Sequence, residues 1–146
     1  MALWDWAVKA YGRPGVEAAC LALQDEHDQN VSYLLWAAWA CTSDPSVLAR
    51  GADIAQRWEI LALGPIRMAR RGLKPGFSGV PDAPRQALRD DVKAAELRAE
   101  RVLLEALEAL CRPGDAEILP SLRAASAAWG NVAPSNALAA LAQALG

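Results

Sequence analysis

Apolar residues recur along this chain three and four positions apart and never alternate for long, so the pattern predicts helices and no strand. A first short helix is expected over about Leu3–Tyr11, with Trp4, Val8 and Tyr11 on one stripe and Leu3, Trp6 and Ala10 on another. Only Asp5 and Lys9 keep a polar side, so this helix is wedged between surfaces. Gly12-Arg13-Pro14-Gly15 ends it and opens a second helix, about Pro14–Glu26, that buries Val16, Ala19, Cys20 and Leu23. The third, about residues 31–41, is apolar on every side through Tyr33, Leu34, Leu35, Trp36 and Trp39, and Asn30 is placed to cap it. A helix with no polar face must be central to the fold.

Asp44-Pro45 reads as an N-cap followed by an N1 proline, starting a fourth helix that runs to about Leu63. Its buried row is expected to be Val47, Gly51, Ile54, Trp58 and Leu61, opposite a solvated row of Arg50, Asp53 and Arg57. Gly64-Pro65 is expected to break or sharply kink it, because proline lacks the N–H and clashes with the preceding turn. A short helix follows, about Ile66–Leu73, and then a proline- and glycine-punctuated loop, Lys74–Pro84, that carries Phe77. The longest helix is expected over about residues 84–111, where Leu88, Val92, Ala95, Ala99, Val102, Ala106 and Leu110 repeat in a heptad-like seam. Two tail helices, about Pro120–Trp129 and Pro134–Leu145, complete a reading of six to seven helices in one all-α bundle spanning 1–146, with Ile118-Leu119-Pro120 read as a turn before the first of them.

Composition sharpens this picture. Alanine occurs 32 times and leucine 20 times, against 13 for valine, isoleucine and threonine together, which argues against a sandwich or barrel. Hydrophobic residues make up 53% and charged residues 22%, enough to fill a core. A net charge of −2 argues against a globally basic nucleic-acid binder. Met1–Gly12 has no basic region or cleavage site of a secretory signal, and the longest apolar run, Tyr33–Cys41, is nine residues, where a membrane span needs about 20. Cys20, Cys41 and Cys111 are odd in number and unpaired by spacing, the pattern of a reducing cytoplasm with buried, inert thiols.

The string Tyr11, Arg13-Pro14-Gly15-Val16, Ala19-Cys20-Leu21, Leu23-Gln24-Asp25, followed by Val31 and Leu34-Leu35, resembles an uncharacterised bacterial family known as a domain of unknown function. A second block resembles it too: Trp58, then Pro65, Arg67, Arg70-Arg71 and Leu73-Lys74, then Lys93, Glu96-Leu97 and Ala99-Glu100. The resemblance covers roughly Leu3–Leu107 and implies a small, soluble, helical bacterial protein. It implies no activity, substrate or cofactor, so candidate sites rest on the residues themselves.

Arg67, Arg70, Arg71 and Lys74 form a basic run with no acid between Ile60 and Pro81. Arg67 and Arg71, like charges one turn apart, call for an anionic partner. That partner is internal (Glu96, Glu100 or Asp25), or it is an external anion. Four charges supply only a modest counterion-release term, so strong nucleic-acid binding is not expected. Gln24, Asp25, Glu96 and Glu100 are the acceptors of an alternative polar pocket around Arg70. His27 lies among Asp25, Glu26 and Asp28, yet Asp25 and His27 point apart on a helix and no second histidine exists, so a frayed helix end fits better than a metal site. Six tryptophans, Trp4, Trp6, Trp36, Trp39, Trp58 and Trp129, fill the core or line a seam or pocket, with Trp4 and Trp6 the ones expected to reach solvent.

No nucleophile–base or metal set is legible, so no catalytic residue, metal or cofactor is assigned. The function expected is that of a bacterial cytoplasmic binding or adaptor module acting on an unknown protein or a small anionic ligand through Arg67–Lys74, the adjoining loop or an aromatic seam. The alternatives are a small-ligand-binding protein or enzyme built on the polar pocket, and a structural homodimer through the long helix.

Overall fold

The computed structural model describes residues 1–146. Helices α1 (Leu3–Tyr11), α2 (Val16–His27) and α3 (Val31–Ala40) are followed by α4 (Pro45–Trp58), a π-helical turn (Glu59–Leu63) and α5 (Gly64–Gly72). The long α6 (Asp82–Glu108), α7 (Ile118–Trp129) and α8 (Ser135–Leu145) complete the chain. Because α4, the π turn and α5 are continuous, the chain forms seven helical rods and no strand. None is long and apolar enough to cross a membrane.

α3 is the pillar its sequence demands. Every side chain from Ser32 to Ala38 is buried, and Asn30 caps the helix by accepting from the Tyr33 N–H at 2.9 Å. Tyr33 Oη lies 2.9 Å from Ala125 O and 3.2 Å from Leu48 O, so one hydroxyl ties α3 to both α7 and α4. Its ring packs against Trp36 and Trp129 with centroids 5.8 and 5.2 Å away. Trp36 packs against α4 at Gly51, where a Cβ would stand 2.3 Å from the indole ring. The glycine is thus demanded by packing, against the usual helix cost of about 1 kcal/mol.

Asp44 caps α4 as expected, accepting from Ser46 N–H at 2.9 Å. The buried row of α4 is Leu48, Gly51, Ala52 and Ala55; Ile54 and Trp58 are half-buried, and Leu61 is exposed. The break expected at Gly64-Pro65 is absent. The helix widens by one residue instead: the Gly64 N–H donates to Glu59 O, five positions back, and Pro65 follows at the start of α5, where its missing N–H costs little. Only glycine fits that seat, since a Cβ on residue 64 would come within 2.8 Å of Glu59 O.

The face of α6 also differs from expectation. It buries Ala99, Leu103, Leu104 and Leu107, whereas Leu88 and Val102 of the anticipated seam are about half exposed. The N-terminal half of α6 has α5 as its neighbour, and its one buried residue there is Arg85. Arg85 Nη1 donates to the carbonyls of Leu73 and Lys74 at 2.7 and 2.9 Å, closing the C-terminus of α5. α7 begins at Ile118, so Ile118-Leu119-Pro120 is its first turn and no separate loop. Leu122, Leu138, Leu141 and Leu145 of the two tail helices belong to the same hydrophobic core as Leu3, Leu23 and Leu34.

Candidate functional site

Two local features of the chain open a space beside α3. α2 stops at His27 because Asp28 takes a left-handed conformation (φ 52°), which short polar residues tolerate best. The next residue, Gln29, turns inward and is buried; its Nε2 donates to His27 O at 3.0 Å and Asn131 O at 2.5 Å. Trp129 Nε1 donates to Asp28 O at 2.9 Å, so the α2–α3 corner and the end of α7 are fastened together. On the other side, the π turn carries Glu59 and the buried Leu63.

Between them lies a cavity of about 650 Å³. Its apolar walls are Trp4 and Val8 of α1, Leu35 of α3, Leu63 of the π turn, Leu97 of α6, and Trp129. Its polar lining includes Tyr11, Gln24, Asp28, Glu59, Arg67 and Glu100. The Arg101 guanidinium sits 5.3 Å from the centre of the Trp4 ring, a cation–π contact that holds this wall in place.

An ion network reaches the cavity through Glu59 and Arg67, with Glu96 and Arg70 behind them. Arg67 Nη1 donates to Glu59 Oε1 at 2.6 Å, and Arg67 Nε stands 3.6 Å from Glu96 Oε1. Arg70 approaches the same Glu96 through Nε at 2.5 Å and Nη2 at 3.4 Å, a two-pronged contact. Glu59, Arg67, Glu96 and Arg70 thus alternate in sign. All four are mostly buried, at 12–31% side-chain exposure, which places these pairs beyond ordinary surface ion pairs. Glu59 Oε2 is buried without a partner. Glu100, one turn beyond Glu96, lines the cavity outside this network. Burial, then the neighbouring Glu96, push its carboxyl up to about 6, and Arg67 and Arg70 offset only part of this. Tyr11, also on the lining, is pushed up to about 12, first by burial and then by the charges of Cys20, Glu17, Glu100 and Asp25.

The residues singled out from sequence therefore separate. Arg67 and Arg70 are in the network with Glu96, while Gln24 and Glu100 line the cavity. Arg71 and Lys74 are exposed and make no ion pair. Asp25 is exposed on the outside of α2, where its one contact is a long hydrogen bond from Gln24 Nε2 at 3.5 Å. His27 is half-buried with Glu26 at 3.9 Å, and no three His, Cys, Asp or Glu side chains gather closely enough to hold a metal ion. Burial raises all three thiols, Cys20 up to about 12, so none is poised as a nucleophile. Sequence reasoning missed Glu59. Its signal was its position, the last acid before the basic run, but a partner eight residues on lies outside the three- and four-residue spacing that helical pairs follow. It also missed Tyr11 and Trp129 as neighbours, since nothing local places them together.

A family model described as a protein of unknown function, DUF2390, matches residues 2–107. No curated protein and no solved structure matches the chain. The matched stretch runs through both blocks of the resemblance and holds every member of the ion network, and on that match the chain belongs to this family of proteins of unknown function.

Proposed function

We propose that this chain is a bacterial cytoplasmic binding module whose ligand is a small organic molecule seated in the cavity between α1, the α2–α3 corner, the π turn and α6. The cavity carries the reading: about 650 Å³, with aromatic and aliphatic walls and a few converging polar groups, is the usual anatomy of a small-molecule site. The three free thiols fit a reducing compartment. An adaptor role through the Arg67–Lys74 run has less support, because Arg67 and Arg70 are engaged by Glu59 and Glu96, leaving Arg71 and Lys74 as its free charges. A homodimer through α6 has less support as well, since the anticipated seam shares its helix face with Asp91, Arg98 and other exposed charges.

The test is ligand-observed NMR with a panel of neutral aromatic and alicyclic alcohols, tryptophol among them. Val8 lines the cavity and is 55% exposed, so Val8→Trp narrows the space from a position outside the core. Saturation transfer to panel members in the wild type, weakened in Val8→Trp, is the expected result. Transfer of equal strength in both proteins, or to neither, overturns the reading.

A further inference from the structure

The charges around the cavity do not balance. Three carboxylates, Glu59, Glu96 and Glu100, face two guanidiniums, Arg67 and Arg70, and both guanidiniums are committed to Glu59 and Glu96. Two acceptors are left over. Glu59 Oε2 is buried without a partner, and Glu100 lines the cavity with no cation in salt-bridge reach. No other cationic side chain lines the cavity besides Arg67. Buried carboxylates are normally paired or hydrogen-bonded, and a cationic ligand would supply Glu100 and Glu59 Oε2 with the partner the chain does not. Trp4, Tyr11 and Trp129 add aromatic rings to the same lining, the Trp4 ring already carrying Arg101 and the Trp129 ring packed on Tyr33, and aromatic rings tolerate a nearby cation better than an anion.

We propose, on the reading that the cavity is a small-molecule site, that its ligand carries a protonated amine or amidine on an apolar body, with Glu100 receiving the cationic head and Leu35, Leu63 and Leu97 packing against the body. This reverses the polarity anticipated from the basic run, which suggested an anionic ligand. Arg67 faces inward but is neutralised on both sides, by Glu59 and Glu96, so the free charge of the lining is negative.

Binding is then linked to pH through Glu100. The groups facing it are Tyr11 from α1, Glu59 from the π turn, Arg67 and Arg70 from α5, and Glu96 from its own helix, with Asp28 lining the cavity at the α2–α3 corner. Of the two partners in the proposed contact, the amine stays charged from pH 5 to 8, so the change in affinity over that range follows the Glu100 carboxyl. The sign is fixed: protonation of Glu100 below about pH 6 removes the acceptor charge and weakens binding of a cation.

The experiment compares three probes of matched shape, tryptamine, tryptophol and indole-3-propionate, by isothermal titration calorimetry against the full chain and Glu100→Gln. The expected result is tryptamine tightest by at least tenfold at pH 7.5, losing about tenfold by pH 5. The Glu100→Gln variant removes both the preference and its pH dependence while binding tryptophol as the wild type does, and that retained binding reports an intact fold. Equal affinity for all three probes, or preference for the propionate, overturns the cationic assignment and leaves the small-molecule reading standing. Binding of none of the three at millimolar concentration overturns both.

Discussion

A single carboxyl, that of Glu100, shows how far context moves an ordinary residue. On a solvated helix face it would ionise near pH 4.5; between Glu96 and the cavity wall it does so near 6. The folded protein therefore holds this proton more tightly than the unfolded chain does. The raised value favours folding below about pH 4.5, and this contribution is lost as pH rises through about 6. At pH 7.5 the ionised, poorly solvated Glu100 costs about 1–2 kcal/mol after allowance for its partial contact with solvent. Glu100→Gln is accordingly expected to be more stable than the wild type at pH 7.5 by about that amount, with the gap closing at pH 4.5. Urea denaturation at the two pH values measures it; a variant less stable than the wild type at pH 7.5 would show that Glu100 is satisfied by a contact of its own. Residue-scale features were unevenly legible. Asn30 and Asp44 announce their caps because capping is decided within four residues. Gly51 does not announce that Trp36 lies beneath it, because that neighbour comes from another helix.

Among the elements, the π turn is the one on which the site depends. Adding one residue to a turn rotates everything downstream, and this rotation points Arg67 and Arg70 at Glu59 and Glu96. Ile60 is 80% exposed, so its removal takes out the extra residue of the turn with little loss of packing at that position. Deleting Ile60 is expected to restore a regular helix and swing α5 by roughly 100°. Helical content by circular dichroism should hold, while loss of the mostly buried ion pairs and of Leu63 packing lowers stability by about 3–5 kcal/mol. Retention of wild-type stability would mean that neither the network nor the phase of the turn contributes. Sequence pattern placed a break or sharp kink at Gly64-Pro65; the helix is not broken there, and a π turn precedes the glycine instead. The seam anticipated for α6 is misphased as well. On an alanine-rich helix several rows share the three–four spacing, and only the larger volume of Leu103, Leu104 and Leu107 selects the row that packs.

At the scale of the molecule, the family region and the hydrophobic core do not coincide. Residues 2–107 carry the family match, yet Leu122, Leu138, Leu141 and Leu145 of α7 and α8 are nearly inaccessible and complete the core around Tyr33 and Leu23. Removing a single buried leucine costs about 2–5 kcal/mol, and total stabilities of small proteins are about 5–15 kcal/mol. A fragment of residues 1–112 is therefore expected to lack a cooperative thermal transition, and one that melts sharply near the full-length midpoint would refute this. The all-helical class and the central place of α3 were readable from the apolar pattern. The cavity was not, since empty volume is a property of seven rods meeting and has no signature in any one of them.

The hydrogen bond from the Trp129 indole to Asp28 O has a practical corollary. It fastens a wall contributed by the last third of the chain to a doorway built by the first. A graft of the shared family stretch alone into another protein would carry the acidic floor and the arginine ladder but not that aromatic shutter. Its cavity would stand open along one side, lined by fewer aromatic groups than in the whole chain.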